Sequence, residues 1–389
     1  MKNGGTTLAF VKKLDGWKND FATQQNQPCS ALHACRPMAI ESVQNHASAP
    51  RQSQRISMQE SQSVTQTQGV RGHSDAPRIV ARLARCMAAI SIGLAAMAAG
   101  AADPALSVIE LAPGVFMHAG MHAAATPENR GAIANVGFVV GTRCVAVIDS
   151  GGSFDEGQAL RRAISDHTLL PVCYVINTHV HPDHVYGNAA FAADQPHFVG
   201  HRNLAASMRA RQGYYTAFAA RSLEADNAAH SILVPPDTVV STAQTLELGG
   251  RTLTLQAWPT AHTDNDITVL DNRTGTLWLG DLLFRERIPV IDGKLGGWLA
   301  TMDNLAGIAA TRVVPGHGAP STDWPGVLQP QRRYLVAVRD GVRQALKARQ
   351  TLGQATATVA TTERDKWLLF SDFHAQNVTA AFTELEWED

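Results

Sequence analysis

The sequence predicts an α/β protein with a helical C-terminal extension. From residue 107 onward, short runs rich in valine, isoleucine and aromatic residues alternate with segments of helical spacing. After about residue 324 the pattern is helical, and apolar residues recur at spacings of three and four: Leu335, Val338, Val342 and Leu346. That spacing predicts one buried face. An apolar content of 45% is typical of a globular protein with a sizeable core.

The predicted elements follow one another in a regular order. A Pro-Gly turn at 113–114 predicts a hairpin, and a second pair of strands flanks residues 141–143. Ser153 and Glu156 fit a capping box, which predicts a helix that ends near His167. The other predicted elements are strands at 172–176, 197–200, 237–241, 245–248, 251–258, 266–271, 276–281 and 312–314, and helices at roughly 202–232 and 298–310.

The first hundred residues differ in composition from the rest. Residues 22–70 are polar with few large aliphatic side chains, which is typical of a disordered segment. A basic stretch at 78–85 then precedes an apolar run and the small residues at 99–101, and this order is typical of a secretory signal peptide. We therefore predict a disordered or mis-assigned extension over 1–77, with translation starting near Val80, and a signal peptide over 78–102. The alternative is an amphiphilic helix behind a disordered tail.

Export would place the mature chain in the periplasm, with no stable membrane span after signal removal. Of the five cysteines, only Cys144 and Cys173 would remain. Both lie in apolar strand-like runs, which favours two buried small hydrophobic side chains. A disulfide between them, formed in an oxidising compartment, is the alternative.

Charge argues against nucleic acid as a partner. Residues 1–102 hold 11 Lys+Arg and 5 Asp+Glu, whereas residues 103–389 hold 22 and 29. The net charge of the main body is therefore −7, and an acidic surface has no electrostatic attraction for a phosphate backbone.

The most informative segment is His179-Val180-His181-Pro182-Asp183-His184, which follows a predicted strand. It places four metal-ligand side chains within six residues. On an extended backbone His179 and His181 can reach one cation, while Asp183 and His184 point toward a second. A bridged pair of metals would remove the electrostatic cost of gathering these groups.

Three further candidate ligands each follow a predicted strand, where a sheet can aim a side chain into a cleft: His262, Asp281 and His317. With the hexapeptide they give seven ligands, which are too many for one tetrahedral zinc. The sequence therefore predicts a site for two metals.

These motifs resemble the metallo-β-lactamase superfamily over roughly residues 107–320. The resemblance implies an αββα sandwich, which we place at 103–323, followed by the C-terminal helical extension at 324–389. It implies two Zn²⁺ ions, with iron or manganese as alternatives, and a hydroxide shared by the metals as the nucleophile. It implies that Asp183 is catalytic, and that the ligands are His179, His181 and His262 for the first metal, Asp183, His184 and His317 for the second, and Asp281 as the bridge.

The same resemblance narrows the substrate to a small molecule with an ester, thioester or lactone-like carbonyl. Asp281 stands where β-lactamases with a cysteine ligand need that thiolate, so the chain departs from them. A β-lactamase is kept as the alternative enzyme. Residues 177–188, residues 200–204 and the acidic-aromatic terminus are similar to the quinoprotein relay system zinc metallohydrolases. That similarity implies a quinoprotein dehydrogenase system as partner, and a non-catalytic periplasmic metal-binding accessory protein is the non-enzymatic alternative.

Two weaker predictions concern the surroundings of the ligands. Residues 285–298 form either a substrate loop, in which Arg285 or Arg287 meets an anionic group, or a plain surface loop. Thr263 and Asp266 are predicted to hydrogen-bond either the metal ligands or one another within a local turn.

Overall fold

The computed structural model describes residues 104–388. The predicted extension over 1–77 and signal peptide over 78–102 lie outside these residues. Two β-sheets flanked by helices form the described part, with further helices at the C-terminal end. The predicted α/β class is therefore confirmed.

The first sheet has seven strands that lie side by side in chain order. Its first four strands pair antiparallel, and the fourth to the seventh pair in parallel. The strands are β1 (Ile109–Ala112), β2 (Val115–His118), β3 (Val136–Val140), β4 (Val145–Ile148), β5 (Val172–Ile176), β6 (His197–His201) and β7 (Thr238–Val240).

The second sheet has five strands, which lie in the order β12-β11-β10-β9-β8. Only β11 and β12 pair in parallel. The strands are β8 (Ala243–Glu247), β9 (Thr252–Ala257), β10 (Ile267–Asp271), β11 (Thr276–Phe284) and β12 (Arg312–His317). The last strand continues three residues beyond the predicted end at 314, and this continuation carries it to a predicted metal ligand.

Eight α-helices and three short 3₁₀ helices occur among the described residues. The α-helices are α1 (Phe154–His167), α2 (Pro182–Val185), α3 (Leu204–Ser222), α4 (Ala225–His230), α5 (Leu295–Leu305), α6 (Gln329–Lys347), α7 (Leu352–Thr358) and α8 (Phe370–Leu385). The 3₁₀ helices are Asn188–Asp194, Gly326–Leu328 and Thr361–Lys366. Within residues 104–388 no helix combines the length and apolar character needed to cross a membrane.

The core has two main parts. Apolar side chains of both sheets meet between them, among them Ile148, Ile176, Leu255, Val269 and Trp278. A second cluster joins β11 to the C-terminal helices, and it includes Leu279, Trp298, Leu335, Val338 and Val342. The predicted apolar face of the extension is therefore confirmed as core packing.

Helix α1 begins with the predicted N-cap but without the full capping box. Ser153 Oγ accepts a hydrogen bond from the Glu156 backbone N–H at 3.2 Å. The Glu156 carboxylate does not return to the N-cap residue; it accepts instead from the Gly152 backbone N–H at 2.7 Å. Burial raises the pKa of Glu156 to about 8.

Helix α5 begins three residues earlier than the predicted 298. Glu384 of α8 accepts hydrogen bonds from the backbone N–H groups of Leu295 at 2.6 Å and Gly296 at 3.0 Å. A carboxylate at a helix N-terminus satisfies free donors and the helix dipole. The cap is 88 residues away along the chain from Gly296, so local sequence could not reveal it.

The prediction of two separate buried cysteines is wrong, because Cys144 and Cys173 form a disulfide. Their Cα atoms are 5.7 Å apart. The physical reason is register: Val145 of β4 pairs with Val172 of β5, which brings Cys144, just before β4, beside Cys173 of β5. Apolar character alone does not report which strands are neighbours.

Candidate metal centre

The hexapeptide lies in the turn that leaves β5 and enters the short helix α2. His181 is the N-cap of α2 in an extended conformation, and Pro182 occupies the first helical position. Asn177 and Asn188 flank the segment and bond to each other through both amides, at 3.0 and 2.7 Å. This clamp closes the loop at its base and fixes the direction of the histidines.

The other three predicted ligands come from the second sheet and its loops. His262 follows β9, and His317 ends β12. We expected Asp281 at a strand end, but it lies inside β11, which continues to Phe284. The register is irregular on both sides of Gly280, whose φ of +50° breaks the regular strand geometry beside Asp281.

The structure brings the seven side chains together in two adjoining groups. Within each group the ligand atoms lie within 4.8 Å of one another. The first group contains His179, His181, His262 and Asp281, and the second contains Asp183, His184 and His317.

Distances in the first group fit a tetrahedral metal. His181 Nδ1 lies 3.1 Å from His179 Nε2 and 3.0 Å from His262 Nε2. Asp281 Oδ2 lies 3.7 Å from His179 Nε2 and 3.3 Å from His262 Nε2. A tetrahedron with zinc bonds of about 2.0–2.1 Å has edges of about 3.3–3.4 Å. The four atoms therefore surround a space of the right size for one ion.

The outer nitrogens of these histidines already have partners. His262 Nδ1 donates to the Val290 carbonyl at 2.7 Å, and His181 Nε2 lies 3.0 Å from Asp292 Oδ2. His179 Nδ1 lies 3.1 Å from Thr178 Oγ1. A neutral imidazole whose N–H donates to a partner outside the site presents the lone pair of its other nitrogen to the centre of the site. Three inward lone pairs repel one another unless a cation lies between them.

The second group is more open. His317 Nε2 lies 3.3 Å from Asp183 Oδ2, and His184 Nε2 lies 3.8 Å from the same oxygen. Asp281 reaches this group too, since its Oδ1 is 3.2 Å from His184 Nε2 and its Oδ2 is 3.5 Å from His317 Nε2. One carboxylate thus faces both groups, as a bridging ligand must.

His184 Nε2 and Asp281 Oδ1 are buried at the centre of the site and lie 3.2 Å apart, yet neither atom makes a hydrogen bond of acceptable geometry. Leaving such atoms unsatisfied costs roughly 1–3 kcal/mol each. Both belong to the predicted metal ligands, so the residues present fit a metal ion better than they fit an ordinary buried hydrogen-bond network.

Electrostatics favour positive charge at this place. Burial lowers the pKa of His262 to about 3 and holds the pKa of His179 well below its ordinary value, so both imidazoles are neutral. Burial alone would raise the pKa of Asp281, but the neighbouring histidines, His317 and His184 foremost, outweigh it and hold that pKa well below the ordinary value. Neutral imidazoles and ionised carboxylates are the forms that bind metals.

Sequence reasoning missed Asp149, which follows β4 in a left-handed conformation with φ of +55°. Its Oδ2 lies 2.7 Å from His184 Nδ1, and its Oδ1 accepts from the Thr178 backbone N–H at 2.8 Å. The buried carboxylate therefore orients one candidate ligand and anchors the loop that carries three others. An acid at a strand end followed by Ser-Gly-Gly was the available signal.

Sequence reasoning also missed Asp292. Asp292 Oδ2 accepts from Arg211 Nη2 at 2.9 Å in addition to its contact with His181.

Thr263 Oγ1 donates to one carboxylate oxygen of Asp266 at 2.6 Å, and the Thr263 backbone N–H donates to the other at 2.8 Å. Their contacts are those of the local turn, not of the metal ligands.

A cleft leads to the two groups. Its inner part, about 210 Å³, is lined by Asp183, Asp281 and His317 together with Phe284, Arg287 and Phe373. The outer part, about 460 Å³, adds Arg211, Tyr214, Tyr215 and Asp292. A mostly apolar cleft with a few convergent polar groups is typical of a small-molecule site.

Comparison with known proteins agrees with this geometry. The family model described as "Metallo-beta-lactamase superfamily" matches residues 129–317, a stretch that contains all seven candidate ligands. No curated protein sequence matches the chain.

Two solved structures are similar to the chain at low sequence identity, and the one with a TM-score above 0.5 shares its fold. A stereoselective inverting sec-alkylsulfatase from a Pseudomonas species is 15% identical with a TM-score of 0.56; the match covers 72% of this chain and 50% of that one. A metallo-beta-lactamase from Pontibacter korlensis is 19% identical with a TM-score of 0.49, covering 59% of this chain and 99% of that one. The chain thus spans half the length of the sulfatase.

Proposed function

We propose that the chain is an exported binuclear zinc hydrolase of the metallo-β-lactamase superfamily, whose family model matches residues 129–317. Its proposed substrate is a small molecule with an ester, thioester or lactone-like carbonyl. The proposal rests mainly on the position of Asp281. Its two carboxylate oxygens face the two ligand groups, and one of these oxygens, Oδ1, is buried without a hydrogen-bond partner.

Zinc is proposed because of the donor set. The candidate ligands supply five imidazole nitrogens and two carboxylates, a donor set that suits zinc. Calcium and magnesium bind instead at sites rich in oxygen. When bound, the metals would polarise the substrate carbonyl and lower the pKa of the attacking water. Elemental analysis of protein purified without chelator distinguishes zinc from iron and manganese.

The chain's own residues would orient the reactants. Asp183 lies on the cleft wall with 16% of its side chain exposed, so it can hydrogen-bond the attacking water and pass a proton to the leaving group. Phe284, Val290 and Phe373 line the same space and would hold the apolar part of the substrate.

We expect zinc-loaded protein to hydrolyse a thioester and a lactone with higher kcat/KM than nitrocefin. Asp281 places negative charge between the ligand groups, which reduces the electrophilic assistance available to an amide but suffices for an activated ester. The measurement is kcat/KM for all three substrates on one preparation. If nitrocefin were better by tenfold, about 1.4 kcal/mol, the β-lactamase alternative would replace this proposal. Metal binding without turnover of any substrate would favour the accessory-protein alternative.

We also propose export to the periplasm, with a mature chain that begins near Ala102 or Asp103. The disulfide between Cys144 and Cys173 supports this, because disulfides persist in oxidising compartments. N-terminal sequencing of protein from its native host should find no residue before about 100. Recovery of residues 1–80 on the mature protein would contradict the proposal.

Association with a quinoprotein dehydrogenase system rests on the sequence similarity of residues 177–188 and 200–204. The structure gives these segments roles within the fold. Asn203 Nδ2 donates to the Asp264 carbonyl at 2.8 Å, and Asn177 and Asn188 form the loop clamp. The association with a quinoprotein dehydrogenase is therefore a proposal, and co-purification from the native host would test it.

A further inference from the structure

Arg287 is a buried arginine at the inner end of the cleft, with 5% of its surface exposed. The C-terminal extension holds it there. Arg287 forms an isolated bridge with Leu368, and its guanidinium lies 5.1 Å from the centre of the Phe373 ring of α8. A cation over an aromatic face is stabilised while its edge stays free to donate hydrogen bonds.

One donor of Arg287 lacks an acceptor, and a second would lose its acceptor if His317 bound a metal. The Nε of Arg287 is buried without a hydrogen-bond partner. Its Nη1 lies 3.0 Å from His317 Nδ1, but that nitrogen also lies 2.7 Å from the Ile133 carbonyl. A His317 that binds a metal through Nε2 carries its proton on Nδ1, and that proton goes to the carbonyl. In the metal-binding tautomer, Nη1 is therefore a free donor as well.

Charge at the site points the same way. Among the described residues no carboxylate forms an ion pair with Arg287, although Arg211 on the other side of the cleft is paired with Asp292 at 2.9 Å. The acids that line the same inner cleft are Asp183 and Asp281, and bound metal ions would neutralise their negative charge. The inner cleft is thus left with one unpaired buried cation, which is costly unless an anion joins it.

We propose that Arg287 binds an anionic group of the substrate, most simply a carboxylate, close to the reacting carbonyl. The inference rests on the proposed hydrolase function and narrows its substrate class to anionic esters. The Nε–H and one Nη2–H of a guanidinium point along the same edge, and that edge matches the two oxygens of a carboxylate. In Arg287 the Nε has no acceptor, and no hydrogen bond among the described residues involves Nη2. The neighbouring Phe284, Val290 and Phe373 would contact the apolar part of the same molecule.

The test uses 3- and 4-acetoxybenzoate and their neutral methyl esters on the zinc-loaded full chain. The readout is the ratio of kcat/KM for the anionic ester to that for the neutral ester, because differences in leaving group cancel when this ratio is compared between variants. Arg287→Met should lower the ratio by about 10- to 100-fold, equivalent to about 1.4–2.7 kcal/mol. Arg285→Met is the matched control, since Arg285 donates to the carbonyls of Ala319 and Pro320 and is absent from the cleft lining; its ratio should equal that of the unaltered chain.

A binding measurement separates this inference from the hydrolase proposal. Calorimetry should show benzoate binding at least tenfold more tightly than benzamide, with the difference reduced in Arg287→Met and partly kept in Arg287→Lys. Zinc content and melting temperature are recorded for each variant, and if Arg287→Met does not fold, Arg287→Lys and the unaltered chain decide. Equal affinity for benzoate and benzamide, or an unchanged kcat/KM ratio in a folded variant, would overturn the role of Arg287. Failure of the unaltered chain to hydrolyse any ester would instead count against the hydrolase function, even if Arg287-dependent benzoate binding remained.

Discussion

Replacing Asp281 with alanine should lower bound zinc from about two ions per chain to less than one and reduce kcat/KM for ester hydrolysis by about 10³-fold or more. The reason is that this single carboxylate faces His262 at 3.3 Å and His184 at 3.2 Å, so both ligand groups lose an oxygen together. The loss leaves neighbouring imidazoles in a buried space without an anion. Metal content is measured after dialysis into metal-free buffer, and activity is measured on the same samples.

Asp237→Asn is the matched control for Asp281→Ala. Asp237 pairs with His197 at 3.3 Å on β6, outside both ligand groups, so its loss should change neither zinc content nor activity. Asp281→Asn separates charge from size, because the amide retains an oxygen donor without the negative charge. If Asp281→Ala kept two zinc ions per chain, Asp281 would not be the bridging ligand. The two ions would then have to be held by the other six candidate ligands alone.

The clustering of the candidate ligands was predictable from their spacing in the sequence. His179, His181, Asp183 and His184 lie within six residues, and an extended backbone followed by a helical turn allows few ways to arrange them. His262 and His317 were predictable because they follow recognisable strands. What these residues share is that their role depends on local backbone geometry.

Features that depend on register or on distant contacts were not predictable. Asp149 orients His184 only because β4 lies beside β5, so that the end of one strand faces the loop of the other. The disulfide has the same origin. Glu384 caps α5, and Phe373 covers Arg287, because α8 folds back onto the loops that follow β11. A sequence pattern reports periodicity within an element but not which elements become neighbours.

These distant contacts make the C-terminal extension part of the candidate site. Asn377 of α8 donates to the Pro289 carbonyl at 2.7 Å and accepts from the Ile291 backbone N–H at 2.9 Å. The loop between β11 and α5 is therefore fixed by side chains of the extension, and that loop carries Val290 and Asp292 of the cleft. The extension is part of the cleft wall as well as of the core.

Replacing Asp183 with asparagine should reduce kcat by about 10²- to 10⁴-fold, the range typical of a lost acid–base group, while most of the zinc is retained. The amide oxygen can still approach the second ligand group, since Asp183 Oδ2 lies 3.3 Å from His317 Nε2 and 3.8 Å from His184 Nε2. An amide cannot accept a proton from the attacking water or pass one to the leaving group. The measurement is kcat per bound zinc ion, with metal content determined on each sample.

His184→Ala provides the contrast that makes this result interpretable. His184 is fully buried and does not line the cleft, whereas Asp183 lines both its inner and outer parts. We expect His184→Ala to lose metal and activity in proportion, so that kcat per bound pair of ions changes little, and Asp183→Asn to lose activity at nearly constant metal content. Equal losses of activity per bound metal in the two variants would show that Asp183 acts only as a ligand, and the proton transfer assigned to it would have to come from another group on the cleft wall.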